Sequence, residues 1–162
     1  SGAAGVMINK RCQQPDFKHI CNEGIIHRLP KVNHPVYYGG PILTNVVGVL
    51  HSTDFILNST NTLTEDKVGF TLDRKMLEVI AKGQGPKNKL ITLGMANWTT
   101  GQLEEELEHP RNPAMSWLIM DYDEKFVFGQ LDEDKPDDLW ERSVSEAIRA
   151  KTREITSKVF KD

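Results

Sequence analysis

Leu90-Ile-Thr-Leu-Gly-Met-Ala-Asn-Trp-Thr-Thr-Gly-Gln-Leu-Glu-Glu-Glu-Leu107 is the stretch that decides the fold. Leu90 to Leu93 is almost continuously apolar, which predicts a central strand covered on both faces. Gly94 and Asn97 predict a tight turn carrying Trp98. Thr99 and Gln102 have the spacing of a capping box, with Thr99 as N-cap and Gln102 at the third helical position. The helix is expected to run to about Glu108, with Leu103 and Leu107 as its buried stripe. Glu104 and Glu105 sit near its N-terminus, where the helix dipole favours negative charge. Pro110 and Pro113 would end it.

Working back from this run, Leu72 closes a strand that begins at Val68, and Asp73 is a good N-cap. Met76, Leu77 and Ile80 share one face of a helix over Asp73–Lys82. Gly83 fits the left-handed position after it, and Gly85-Pro86 prevents continuation. Further back, Val46 to Leu50 reads as a strand, Phe55 to Leu57 as a short extended piece and Ser59-Thr60-Asn61 as a polar turn. Val36-Tyr37-Tyr38 is a strand stopped by Gly39-Gly40-Pro41. Residues 11–34, with Pro15, Gly24 and Pro30, fit a short helix and a loop anchored by Phe17, Ile20, Cys21, Ile25 and Ile26. Gly5 to Asn9 is a short apolar strand. It begins almost at residue 1, which predicts that a strand belonging before it is missing.

Working forward, Met115 to Met120 and Lys125 to Phe128 read as strands, hairpin partners across Asp121-Tyr122-Asp123-Glu124. Residues 129–138 form an acidic loop. A long helix from about Asp137 to Phe160 carries Trp140, Val144, Ile148, Ile155 and Val159 on one narrow stripe, suited to docking on the core or on a partner.

The 162 residues argue for one domain, and 38% hydrophobic against 27% charged content supports a packed core. No apolar run approaches the roughly 18–20 residues that span a bilayer. The N-terminus lacks the basic and apolar regions of a signal peptide. A cytoplasmic protein with no membrane partner is expected. Cys12 and Cys21 are too few and too close for a secreted disulfide framework, and are read as thiols. The net charge of −3 is uneven. Residues 1–102 hold 11 basic and 7 acidic groups, residues 103–138 hold 3 and 12, and residues 139–162 hold 6 and 4. That mild basic bias gives only weak support to a nucleic-acid partner.

Several segments in order carry a resemblance: Gly5-Val6-Met7-Ile8-Asn9-Lys10, Val36 to Pro41, Gly48-Val49-Leu50-His51-Ser52, the helix Asp73–Gly83 with Gly85-Pro86, Leu93 to Trp98, Gly101-Gln102-Leu103-Glu104, and Trp140-Glu141. This set, over most of residues 3–147, resembles the YqgE/AlgH family of bacterial proteins, which has relatives in plastids. The resemblance implies an α+β domain over residues 1–162. Its mixed, strongly bent and partly barrel-like sheet would be flanked by helices, with a long C-terminal helix over 139–162. No enzymatic reaction is established for the family, and one member is named as a regulator of gene expression. The family normally carries a further strand and an acidic or His-containing stretch before the position of Gly2. Met95 and Asn97 replace a usual aromatic and glycine, and the C-terminal helix is more charged than usual.

The candidate binding residues are Gly39, Gly40, His51, Trp98, Gly101 and Gln102. Gly39-Gly40-Pro41 has the makings of an anion cradle but lacks the lysine and hydroxyl of a phosphate loop, so a turn of close chain approach is the simpler reading. His51, Ser52 and Asp54 are near neighbours in sequence, unlike the converging members of a triad. His51 reads as a structural residue donating to backbone, with ligand contact as the alternative. Trp98 with Gln102 is the best surface candidate, since a Trp before a helix N-terminus can stack on a ligand while the amides hold an anion. The competing reading is a Trp packed as the turn's core anchor. Cys12, His19, Cys21 and His27 lack the spacing of a zinc site. Asp132-Glu133-Asp134 and Asp137-Asp138 lack that of a calcium loop. No cofactor, metal or catalytic residue is therefore expected, and the chain reads as a non-catalytic binding or regulatory protein. The rivals are a small-ligand protein or enzyme built around His51, Trp98 and Gln102, a nucleic-acid-binding regulator, and a protein-partner module using the C-terminal helix.

Overall fold

The computed structural model describes residues 2–22, 26, 29–109, 117–129 and 139–159. The sequence expectations at Gly24, Ile25, His27, Pro110, Pro113, Met115, Ser116 and the acidic stretch 130–138 lie outside the described residues. So does the packing of Ile155 and Val159.

The fold is α+β, with one mixed, strongly bent sheet. Its strands are β1 (Ala3–Gly5), β2 (Val36–Tyr38), β3 (Ile42–Ser52), β4 (Asn61–Leu63), β5 (Val68–Thr71) and β6 (Lys89–Trp98). The order is β1-β6-β3-β5-β4, with β2 also on β6. β2 runs parallel to β6, while β6–β3, β3–β5 and β5–β4 are antiparallel. The chain falls into two compact units, Ala4–Asn97 and Ser1–Ala3 with Trp98–Asp162, taken here in turn.

In the first unit, α1 (Phe17–Ile20) and α2 (Arg74–Ala81) supply the helices. Asp73 caps α2, its side chain accepting from the Lys75 amide, and Gly83 turns the chain out at φ +74°. Met76, Leu77 and Ile80 are buried as their spacing predicts. They cluster with Phe17, Ile20, Val36, Val47, Val49 and Ile91. Each such side chain contributes about 2 kcal/mol of transfer free energy. Alternation along the strands puts Leu50, Leu90 and Thr92 on the opposite side, where they are buried too. β6 is therefore covered on both faces, as its apolar start predicts.

The bend has a visible cause. Ile42 pairs with Met95 and Val47 with Leu93, so the four residues Leu43 to Val46 oppose Gly94 alone. A bulge of that kind kinks a strand and increases its local twist. Gly94 adopts φ +75° and Leu43 φ +53°.

Several expectations change. The strand at Gly5–Asn9 lies instead at Ala3–Gly5. The following residues are held to β2 by scattered bonds, Met7 N–H to Gly39 O (2.8 Å), Tyr38 N–H to Lys10 O (2.7 Å) and Cys12 N–H to Val36 O (2.8 Å). Phe55 to Leu57 is not a strand, and it leads into a loop that Leu57 and Thr60 close on each other: the Leu57 amide donates to Thr60 Oγ1 and the Thr60 amide to Leu57 O. β4 is a strand where a polar turn is expected at Asn61. The predicted Gly and Asn turn is absent, since β6 continues through Gly94 and Asn97 to Trp98.

In the second unit, α3 (Gln102–Glu108), α4 (Glu124–Phe128) and α5 (Leu139–Val159) are helical. Gly101, at φ +80°, is the N-cap of α3 in place of Thr99. Half of the capping box remains, with Thr99 N–H donating to Gln102 Oε1 at 3.0 Å. Leu103 is only half-buried and Leu107 is exposed, so no buried stripe forms. Residues 117–120 are irregular. Lys125 to Phe128 is helical, not a hairpin strand: the Asp123 side chain accepts from the Phe126 amide at 2.9 Å, and this cap outweighs the β preference of Phe-Val-Phe. On α5, among the residues whose burial is described, Ala147 is buried and Val144 half-buried, while Trp140 and Ile148 of the expected stripe are exposed.

Candidate functional site

Gly39 and Gly40 are buried at a crossing of backbones. A Cβ on Gly39 would sit 2.3 Å from Gly94 O, and one on Gly94 would sit 2.3 Å from Gly40 O. The Gly39 amide donates to Leu93 O at 2.7 Å, and Gly39 O accepts from Met7 N–H. The amide at this turn is thus spent within the sheet. The geometry is that of close approach, with no room for an anion between the chains. Gly94 is the residue the sequence reading missed, having assigned it to a turn.

His51 is fully buried on β3, beside Gly69 of β5, where a Cβ would meet His51 Cε1 at 2.6 Å. Gly69 thereby makes room for the imidazole. His51 Nδ1 lies 2.9 Å from Ser52 O, and Nε2 lies 2.9 Å from Thr71 Oγ1. A carbonyl only accepts, so Nδ1 carries the hydrogen and Nε2 of the neutral ring accepts from Thr71. Thr71 Oγ1 in turn lies 2.8 Å from Thr60 Oγ1, which accepts from the Leu57 amide at 2.9 Å. With a neutral imidazole the donors run from Thr60 to Thr71 to Nε2, and a charged ring would reverse both hydroxyls. Burial pushes the His51 pKa down, and the Ser52 carbonyl and Asp54 offset part of this.

Ser52 points to the other side of the sheet, as strand alternation requires. Its hydroxyl donates to Asp54, and Asn88 N–H donates back to it at 3.1 Å. His51, Ser52 and Asp54 therefore form no relay. The Ser52 hydroxyl and the Lys87 amide hold the Asp54 carboxyl below its usual range.

Trp98, Gly101 and Gln102 do come together, in the second unit. Trp98 Nε1–H donates to Glu106 Oε2 at 3.3 Å, and Gln102 Nε2 donates to Glu106 Oε1 at 3.2 Å. Glu106, which sequence reasoning did not single out, is the hub of this cluster. It lies one turn past Gln102, so its i, i+4 spacing is the signal that marked it. Trp98 is half-buried and meets Trp117 edge-on, with centroids 6.0 Å apart and planes at 63°. Trp117 is 46% exposed, Leu118 56% and Ile119 78%. Three consecutive large apolar residues thus face solvent, the first of them paired with the Trp98 indole.

In the first unit, His51 and the Gly39–Gly40 turn lie apart from each other. His51 pairs with Lys89 and Gly39–Gly40 lie against Gly94, positions five residues apart on β6. At roughly 3.3 Å per residue that is about 16 Å. Among the described residues no group of three His, Cys, Asp or Glu side chains is placed to hold a metal. His19 Nδ1 bonds Asp16 Oδ1 at 2.7 Å, Cys21 is buried in the core, and Cys12 and Cys21 are free thiols. Among the described residues no helix is long and apolar enough to cross a membrane.

The AlgH-like family matches residues 1–150, and the chain belongs to it. A UPF0301 protein of Bradyrhizobium sp. strain BTAi1 is 36% identical, over 84% of this chain and 64% of its own length. One from Rickettsia akari is 37% identical, over 86% of this chain and 68% of its own. The chain spans just under two thirds of the Bradyrhizobium protein's length. The solution structure of the AlgH protein from Pseudomonas aeruginosa superposes with a TM-score of 0.67 at 26% identity, covering 91% of this chain and 72% of that one. The α+β fold with its bent sheet is the AlgH fold.

Proposed function

We propose that this chain is a non-catalytic binding protein of the cytoplasm, and that it takes up an apolar segment of a partner protein on the surface formed by Trp98, Trp117, Leu118 and Ile119. The observation that carries this reading is the exposure of Trp117, Leu118 and Ile119 in one run beside Trp98. Water wets that much apolar surface at a cost, and exposed contiguous apolar patches mark interaction sites. Paired indoles are the side chains most enriched at interface hot spots. Glu106, held by Gln102, is engaged in fixing Trp98, which suits an anchor better than a reacting centre. His51 supports the non-catalytic reading, because both its ring nitrogens are committed inside the core. Two free thiols fit a reducing compartment.

The test compares wild type with a Leu118→Asp, Ile119→Asp double variant. Both are used to enrich partners from an extract of the source cells under matched conditions. Retention of the same partner by wild type alone, with equal thermal unfolding of the two proteins, is the expected result. Equal retention by both would sink the proposal. Turnover of a substrate lost on Trp98→Ala would favour the enzyme reading instead.

A further inference from the structure

α4 and the first half of α5 face each other across a cleft of about 600 Å³, within the range of small-molecule sites. Its apolar wall is Met120 and Phe126, both half-buried. The Arg142 guanidinium stands over the Phe126 ring, its Cζ 5.9 Å from the centroid. A guanidinium held against an aromatic face keeps its N–H edge available, already oriented for two parallel bonds to an oxyanion.

The ion pairing on α5 leaves that edge open. Glu146 lies one turn beyond Arg142, where it would be the ordinary partner. It pairs instead with Arg149, at 3.6 Å. Among the described residues neither Arg142 nor Lys125, which also lines the cleft, has an ion pair. Of the other two acids there, Asp123 gives Oδ1 to the Phe126 amide and keeps Oδ2, and Glu141 lines the cleft beside it, so both compete for the cations.

The geometry points to a binding site for a small ligand that ends in an oxyanion, carboxylate or phosphate, and carries a flat apolar body. The oxyanion meets Arg142 and Lys125, and the flat body lies against Phe126 and Met120. This site shares no residue with the Trp98 surface, although Met120 follows Ile119 in the chain.

The test is an amide NMR titration of the whole chain with phenyl phosphate, benzoate, inorganic phosphate and benzylamine. Phenyl phosphate and benzoate are expected to give saturable shifts at Phe126 and Arg142, with dissociation constants of about 1 mM or tighter. Tighter binding of one of these two tells a phosphate ligand from a carboxylate. Inorganic phosphate, lacking the flat body, should bind about tenfold more weakly. Arg142→Ala should weaken phenyl phosphate about tenfold or more with unchanged thermal unfolding, and Arg142→Lys should not restore it, because an ammonium lacks the fork. Glu141→Gln should tighten it. Shifts that do not saturate, shifts that persist in Arg142→Ala, or benzylamine binding as well as benzoate would each overturn the assignment.

Discussion

Gly39 and Gly94 show what a single hydrogen in place of a methyl group does for this fold. Their backbones touch where a Cβ would lie 2.3 Å from a carbonyl oxygen. Nothing at the end of a flexible side chain can give way there. Gly39→Ala or Gly94→Ala should therefore cost about 3 kcal/mol or more, read from urea unfolding, and leave little folded protein. Gly101 is the contrast: its φ is +80° but a Cβ would meet nothing within 4 Å. Gly101→Ala should cost only about 1 kcal/mol, from the left-handed backbone alone. Equal losses at the three positions would contradict the crossing. Leu43 carries the opposite burden, a branched side chain 49% exposed at φ +53°. Leu43→Asn should stabilise by about 0.5 kcal/mol, since Asn tolerates that conformation. No gain in the urea midpoint would mean that Leu43 is held there by packing.

Among the elements, legibility followed the agreement of local signals. α2 had an N-cap at Asp73, an apolar face and a closing Gly83, and it forms where its sequence predicts. α4 had aromatic and β-branched residues that favour a strand, and the Asp123 cap that overrides them is a single side chain. Asp123→Ala should cost α4 about 1 kcal/mol locally, seen as faster amide exchange at Phe126 and Val127. Unchanged exchange would show that packing holds the helix without its cap. Sheet elements depend on partners far along the chain, so β4, three exposed residues beside β5, left no mark in its own sequence.

The His51 network joins β3, β5 and the loop before β4, and it gives these elements a pH dependence. Burial pushes the pKa values of His51 and His34 below the ordinary value, Lys89 adding to the effect at His34. The unfolded chain then binds more protons than the folded one as pH falls through about 6.5, where free imidazole titrates. Stability is full above that pH and is lost progressively below it, toward the folded pKa values. A second loss begins below about pH 4, where Asp16, Asp54 and Asp73 must be protonated although hydrogen bonds hold their pKa values low. The urea midpoint should be lower at pH 5.0 than at pH 7.5. Equal midpoints would show that His51 accepts a proton inside the core.

At the scale of the whole molecule, the ordered motifs identified the family while none of them identified an activity. The bent sheet was legible only through the family resemblance, because Gly94, which sits at the bulge with a positive φ, reads by itself as a turn. The candidate site was legible only in part. Trp98 and Gln102 were marked by their place before a helix, but Trp117 lies 19 residues further on and Glu106 was hidden among acidic neighbours. Of the six candidates, Trp98, Gly101 and Gln102 share one cluster, whereas His51, Gly39 and Gly40 are occupied in building the sheet. The most direct test of the binding claim places a photo-crosslinking amino acid at Ile119, and at exposed Lys67 as control, in the protein expressed in its own cells. A single crosslinked protein of one mass from Ile119, absent from Lys67 and lost on Trp117→Asp, is the predicted result. The same products from both positions, or none from Ile119, would contradict it.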